Sequence, residues 1–84
     1  MAASHKDIRD WLEREKDNKD ITHMIVVCDT FEYDDYPVYV KKNENVRKKF
    51  SQYNGKNMQK VMEVYSYNKN SESQLNECRA FHFD

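Results

Sequence analysis

Eighty-four residues and 10.2 kDa accommodate one small domain over 1–84, which excludes multidomain enzymes, solenoid arrays and dinucleotide-binding folds. Ile, Leu, Val and Phe number only 16 of 84, but the net charge is −1 and six Tyr, four Met and one Trp add apolar volume. The chain is therefore read as folded, with a core thin enough to favour self-association. One Gly and one Pro rule out a glycine-rich phosphate loop, and no apolar run nears the roughly 20 residues of a membrane span.

Ser4 followed by Asp7 fits a capping box, and Ile8, Trp11, Leu12 and Glu15 fall at i, i+3, i+4 and i+7, so a helix is predicted over 5–17. The polar stretch Asp17-Asn18-Lys19-Asp20 ends it. Thr22 to Phe31 reads as a strand, because Met24-Ile25-Val26-Val27-Cys28 is a continuous apolar run suited to burial on both faces. Glu32-Tyr33-Asp34-Asp35 reads as an acidic turn, and Pro37 opens a second strand, Val38-Tyr39-Val40, completing an antiparallel hairpin. Tyr36 and Tyr39 alternate, so one is expected in the core and the other outside it.

Asn43 or Asn45 caps a second helix carrying Val46, Phe50 and Tyr53 on one face, with Gly55 as its stop. The segment 58–67 has two readings. Met58, Val61, Met62 and Tyr65 fit a helical stripe, whereas Val61, Val64, Tyr65 and Tyr67 have strand chemistry. The break at Gly55 favours the strand. Ser71 with Gln74 matches a second capping box, opening a short helix with Leu75 and Cys78 on one face. Ala80-Phe81-His82-Phe83 is too aromatic to lie free. The predicted architecture is α+β, in the order α-β-β-α-β-α, with a three-stranded, mostly antiparallel sheet covered by helices.

Charge is segregated along this order. Residues 1–35 carry a net −5, residues 41–60 carry +6, and residues 61–84 carry −2. The basic segment holds Lys41, Lys42, Arg47, Lys48 and Lys49, with Phe50 and Tyr53 among them. Lysines neutralise phosphates and aromatic faces stack on bases, so this pattern suits an anionic nucleotide-type ligand, with Tyr53 stacking. The competing view is a solvated helix: Val46, Phe50 and Tyr53 enter the core, Lys48 points away, and Arg47 and Lys49 flank it. A pI near 6.3 falls short of the basic footprint that duplex nucleic acid requires.

Asp29, Glu32, Asp34 and Asp35, with Tyr33 and Tyr36, offer a second surface. Their spacing fits no EF-hand loop, so they suit turn formation or contact with a basic protein rather than a metal. The excess tyrosine and the hairpin edge also suggest a homodimer. Cys78 and His82 stand at i, i+4, but His23 and Cys28 would point to opposite faces of a strand, so a closed zinc site would need a bulge. Buried thiols and surface imidazoles are expected instead. No oxyanion loop accompanies either cysteine, so neither catalysis nor a cofactor is expected.

The string Thr22-His23-Met24-Ile25-Val26-Val27-Cys28-Asp29-Thr30-Phe31, then Tyr36-Pro37-Val38-Tyr39-Val40, then Asn57-Met58-Gln59-Lys60-Val61-Met62-Glu63-Val64-Tyr65, resembles a family of small bacteriophage-encoded proteins with no assigned activity. The resemblance covers most of the chain after residue 8 and implies a phage origin, hence a site of action in the host cytoplasm. The absence of an apolar stretch in Met1 to Lys6 agrees with that expectation. The sequence thus leads to a non-enzymatic accessory or anti-defence protein that sequesters a nucleotide-type anion. The alternatives are a module that blocks a host protein through its acidic, Tyr-rich hairpin, and a small metal- or Cys-dependent enzyme.

Overall fold

A computed structural model describes residues 4–56, 58–77 and 80–83. The elements are α1 (His5–Arg14), β1 (Ile21–Asp29), β2 (Asp34–Lys41), α2 (Val46–Tyr53), β3 (Gln59–Ser66) and α3 (Ser71–Leu75). The sheet order is β2-β1-β3, and β1 pairs antiparallel with both neighbours. The expected α+β order and three-stranded sheet are therefore present.

His23 to Val27 are five consecutive buried residues, because β1 is central and both of its faces are covered. On one face Met24 and Val26 meet Ile8 and Leu12 of α1, Tyr65 of β3, and Leu75 and Ala80, with Trp11, Tyr39, Met62 and Tyr67 at the margin. On the other, Ile25 and Val27 meet Val40, Val46 of α2, Val61 and Val64, bordered by Tyr36, Val38, Phe50, Tyr53 and Phe83. Tyr36 and Tyr39 do lie on opposite faces, but both pack against cores. Neither is excluded, because the layers that cover both faces of β1 also reach β2.

The segment 59–66 is a strand, and its helix-like spacing has a structural origin. Val26 pairs with Glu63, yet Val27 pairs with Val61, so Met62 is the extra residue of a β-bulge. A bulge lets Val61 and Val64, three apart, join the same core, where a regular strand would send them to opposite faces.

Other boundaries move. β2 begins at Asp34, so Asp34 and Asp35 pair with Asp29 and Cys28 rather than forming the turn. The connection is Thr30-Phe31-Glu32-Tyr33, where Asp29 Oδ1 accepts the Phe31 N–H (2.9 Å) and Asp29 O accepts the Tyr33 N–H (2.6 Å). This side-chain turn closes two residues earlier than the acidic run suggested. Pro37 lies within β2 instead of opening it, opposite Val26. It is tolerated because β2 is an edge strand that has no strand on its outer side among the described residues.

α1 has the capping box of Ser4 and Asp7 but ends at Arg14, not near residue 17. The Tyr39 hydroxyl donates to Trp11 O (2.7 Å) and the Tyr67 hydroxyl to Leu12 O (2.8 Å). These carbonyls belong to the last turn, whose backbone acceptors would otherwise lack partners. β2 and the residue just after β3 thus supply side-chain donors where two more helical residues would have supplied amides.

α2 is capped by Asn45, whose Oδ1 accepts the Lys48 N–H (3.1 Å), and Gly55 follows it at φ +76°. A Cβ at Gly55 would meet nothing within 4 Å, so this glycine is required by its backbone angle rather than by crowding. α3 is capped by Asn70, whose side chain accepts the Ser73 N–H, with Ser71 as the first helical residue. Gln74 is therefore no part of a capping box. It is 1% exposed, accepts the Ser66 N–H and donates to Ser66 O, both at 2.8 Å. Its amide occupies the outer edge of β3 as a neighbouring strand would. The tail continues that edge: Val64 N–H donates to Ala80 O (2.7 Å) and His82 N–H to Val64 O (3.0 Å), with Phe81 bridging Val64 in parallel.

Two outcomes test this account. Gln74→Leu removes two buried hydrogen bonds to the Ser66 main chain and lowers stability in chemical denaturation by about 2–3 kcal/mol. Tyr39→Phe combined with Tyr67→Phe removes two hydrogen bonds and costs about 1–3 kcal/mol. Burial raises the pKa of both hydroxyls above the ordinary tyrosine value. Their contribution is complete below about pH 10 and is lost as pH rises through the raised values. The double variant therefore shows a weaker loss of stability above pH 10 than the parent.

Candidate anion-binding site

α2 brings part of the basic segment to the start of β1. One open hollow of about 360 Å³ is lined by Thr22 and His23 of β1, Lys42, Glu44 and Asn45 of the connection, Val46 and Arg47 of α2, Asn68, and Phe83 of the tail. That volume lies within the roughly 300–1,000 Å³ of small-ligand sites. Lys42 also borders a neighbouring depression of about 550 Å³ with Asn18, Asp20, Ile21, Lys41 and Asn43. Lys48 and Lys49 line a third, with Asn43, Glu44, Asn45 and Gln52.

The local charge balance depends on Glu44. Its carboxylate accepts the Lys49 ammonium (2.8 Å) and the Lys41 N–H (2.9 Å). The Lys49 hydrogen bond, then that of Lys41, hold its pKa below the usual carboxylate range. Glu44 is thereby neutralised by Lys49, while Lys41, Lys42, Arg47 and Lys48 make no ion pair among the described residues. Two of these four, Lys42 and Arg47, share the hollow. The start of α2 is there too, and the N-terminal end of a helix favours negative charge.

Arg47 is held by the ring of Phe83, 4.5 Å from its centroid, a cation–π contact that orients the guanidinium. Phe83 in turn meets Phe50 edge-on at 5.4 Å. The aromatic at the hollow is thus Phe83, brought from the far end of the chain, a residue that periodicity could not associate with 41–53. Tyr53 lies against the core with Phe50 and Val61 and does not line the hollow. Lys48 is exposed on α2 and Val46 buried, as the helical spacing requires.

The acidic set is gathered at the opposite end of β1. Asp29 and Asp34 face each other across the hairpin, Asp35 pairs with Cys28, and Glu32 and Tyr33 occupy the connection. Tyr36 is apart from them, packed in the core, where its hydroxyl accepts a hydrogen bond from Gln59 Nε2. Sequence reasoning missed Phe31 and Met58, which are among the most exposed large apolar residues. The Thr30 N–H and hydroxyl both donate to Met58 O, at 2.8 and 2.7 Å, tying the two connections together. Tyr33 and Met58 have φ of +60° and +61°, a left-handed conformation costing a side-chain-bearing residue about 1–2 kcal/mol.

For metals and catalysis the residues disperse. His23 is 6% exposed with its Nδ1 2.9 Å from Thr22 Oγ1, and Cys28 is only partly buried. The expected buried thiol and surface imidazole are thus exchanged at these two positions, since Cys28 lies near the open end of β1 and His23 under α2 and the tail. Burial raises the Cys28 pKa, helped by Asp35, which disfavours a thiolate. Cys78 lies outside the described residues. His82 Nε2 stands 2.6 Å from Glu77 Oε2, and no group of three candidate ligands occurs among the described residues. No helix among them is long and apolar enough to cross a membrane.

The backbone at Met58 yields a direct test. Met58→Gly relieves the left-handed strain and leaves stability unchanged or raised by up to about 1 kcal/mol. Met58→Val, β-branched at the same angle, lowers it by about 1–2 kcal/mol. Thermal melts of the two variants measure the difference, and equal melting temperatures would contradict a left-handed Met58. Comparison of the chain with protein-family models, with curated proteins and with solved structures finds no match.

Proposed function

We propose that this chain is a non-enzymatic accessory protein of bacteriophage origin that sequesters an anionic, nucleotide-type ligand in the host cytoplasm. The observation that carries the reading is the pairing of Lys42 and Arg47 in one hollow beside Phe83, with the only nearby carboxylate among its lining residues, that of Glu44, already engaged by Lys49. Two cations suit a phosphate, the guanidinium binding it through a fork of N–H donors and the ammonium as a point charge. A ring edge or face at the rim suits a base. The phage origin rests on the sequence resemblance, and sequestration for an anti-defence role is the kind of task a small binding protein performs. The depressions beside the hollow bring Lys41 and Lys48 into the same positive field, which steers an anion inward.

Native mass spectrometry of gently purified protein, followed by denaturation and small-molecule detection, reads the ligand and any homodimer together. The expected result is a released nucleotide-type anion. Lys42→Glu with Arg47→Glu weakens its binding at least ~10-fold, given about 1.4 kcal/mol per tenfold, whereas Lys56→Glu leaves it unchanged. Affinity also falls as salt is raised. Ligand-free protein that binds neither linear nor cyclic nucleotides in low-salt calorimetry overturns the proposal, as does binding indifferent to the double variant.

A further inference from the structure

We propose that the opposite end of the sheet, formed by Phe31, Tyr33 and Met58, is a docking surface for a different protein that presents apolar side chains within a basic surround. These residues are 69%, 68% and 60% exposed, although the chain has few apolar residues and most of the others among the described residues belong to its two cores. They come from two separate connections that Thr30 joins through Met58 O. Aromatic residues and methionine are the types enriched at interface centres, with charge confined to the rim. Exposed apolar side chains on two joined connections are informative where a single one is not.

The left-handed angles at Tyr33 and Met58 add to this. Asn or Gly would adopt them more easily, so at two positions the chain keeps a large apolar side chain where the backbone favours a small one. Strain of this kind concentrates at functional surfaces.

The partner's chemistry follows from the rim. Asp29, Glu32, Asp34 and Asp35 surround the connection, against Lys56 and Lys60 on the neighbouring loop and strand, a local net charge of −2. Such a rim repels acidic surfaces and accelerates encounter with basic ones. A second copy of this chain fits less well. Its complementary basic hollow lies at the other end of β1, so the contact would be head-to-tail and would not close into a dimer.

The test uses isotope-labelled protein and two defined probes, an amphipathic lysine/leucine peptide and its glutamate/leucine counterpart, followed by amide NMR shifts. The lysine peptide should shift amides of 29–34 and 58–60 in a saturable way, and the glutamate peptide should not. Phe31→Ser with Met58→Ser should weaken binding at least ~10-fold while every charge is kept, and Glu32→Lys with Asp34→Lys should do the same. No binding, shifts confined to α1 instead, or undiminished affinity after the serine substitutions would overturn the proposal. Sedimentation showing a dimer that Phe31→Ser dissociates would also overturn it, because the occupant would then be a second copy.

Discussion

Burial of β1 on both faces is the constraint on which the rest of the structure depends. A strand with five consecutive buried residues needs a layer on each side and a paired neighbour on each edge, all from a short chain. α1 and α3 supply one layer, and α2 with the tail supplies the other. Burying each Val, Ile or Met fully is worth about 1.5–3 kcal/mol, so most of the apolar contribution passes through this strand. Two thin cores are the result. Their margins are completed by tyrosines, which bring apolar area and must then find partners for their hydroxyls. The Trp11 and Leu12 carbonyls of α1 and the Gln59 amide of β3 are those partners.

The same strand separates the two candidate surfaces. The basic hollow sits where β1 begins, at Thr22 and His23, and the acidic apolar tip where it ends, at Asp29. The six to seven steps of β1 between them, at about 3.3 Å per residue, keep them roughly 20–23 Å apart, well beyond the Debye length at physiological salt. Each surface can therefore present its own charge without the other cancelling it. The edges are managed differently. Gln74 and the tail cover β3, whereas β2 keeps Pro37 and two aspartates along its length, devices that discourage pairing with another strand.

Much of this was legible in the residues. The apolar run 24–28 identified a doubly buried strand, the i, i+4, i+7 spacing of Val46, Phe50 and Tyr53 identified the inner face of α2, and Gly55 marked its end. The boundaries that moved did so where a side chain replaced a backbone partner. Tyr39 and Tyr67 shorten α1, Asp29 closes the hairpin early, and Gln74 serves an edge instead of a cap. The ambiguity at 58–67 was physical too, since a bulge at Met62 produces the three-residue spacing otherwise associated with a helix.

By itself the sequence determined the order and type of the elements, their buried faces and the segregation of charge, because these follow from local periodicity and from composition. Only the tertiary structure decided which charges meet. It set Lys49 on Glu44, placed Lys42 with Arg47, brought Phe83 from the tail beneath that guanidinium, and joined Met58 to the hairpin through Thr30. Those contacts join residues distant along the chain, so no periodicity encodes them, and they exist only once both faces of β1 have been covered.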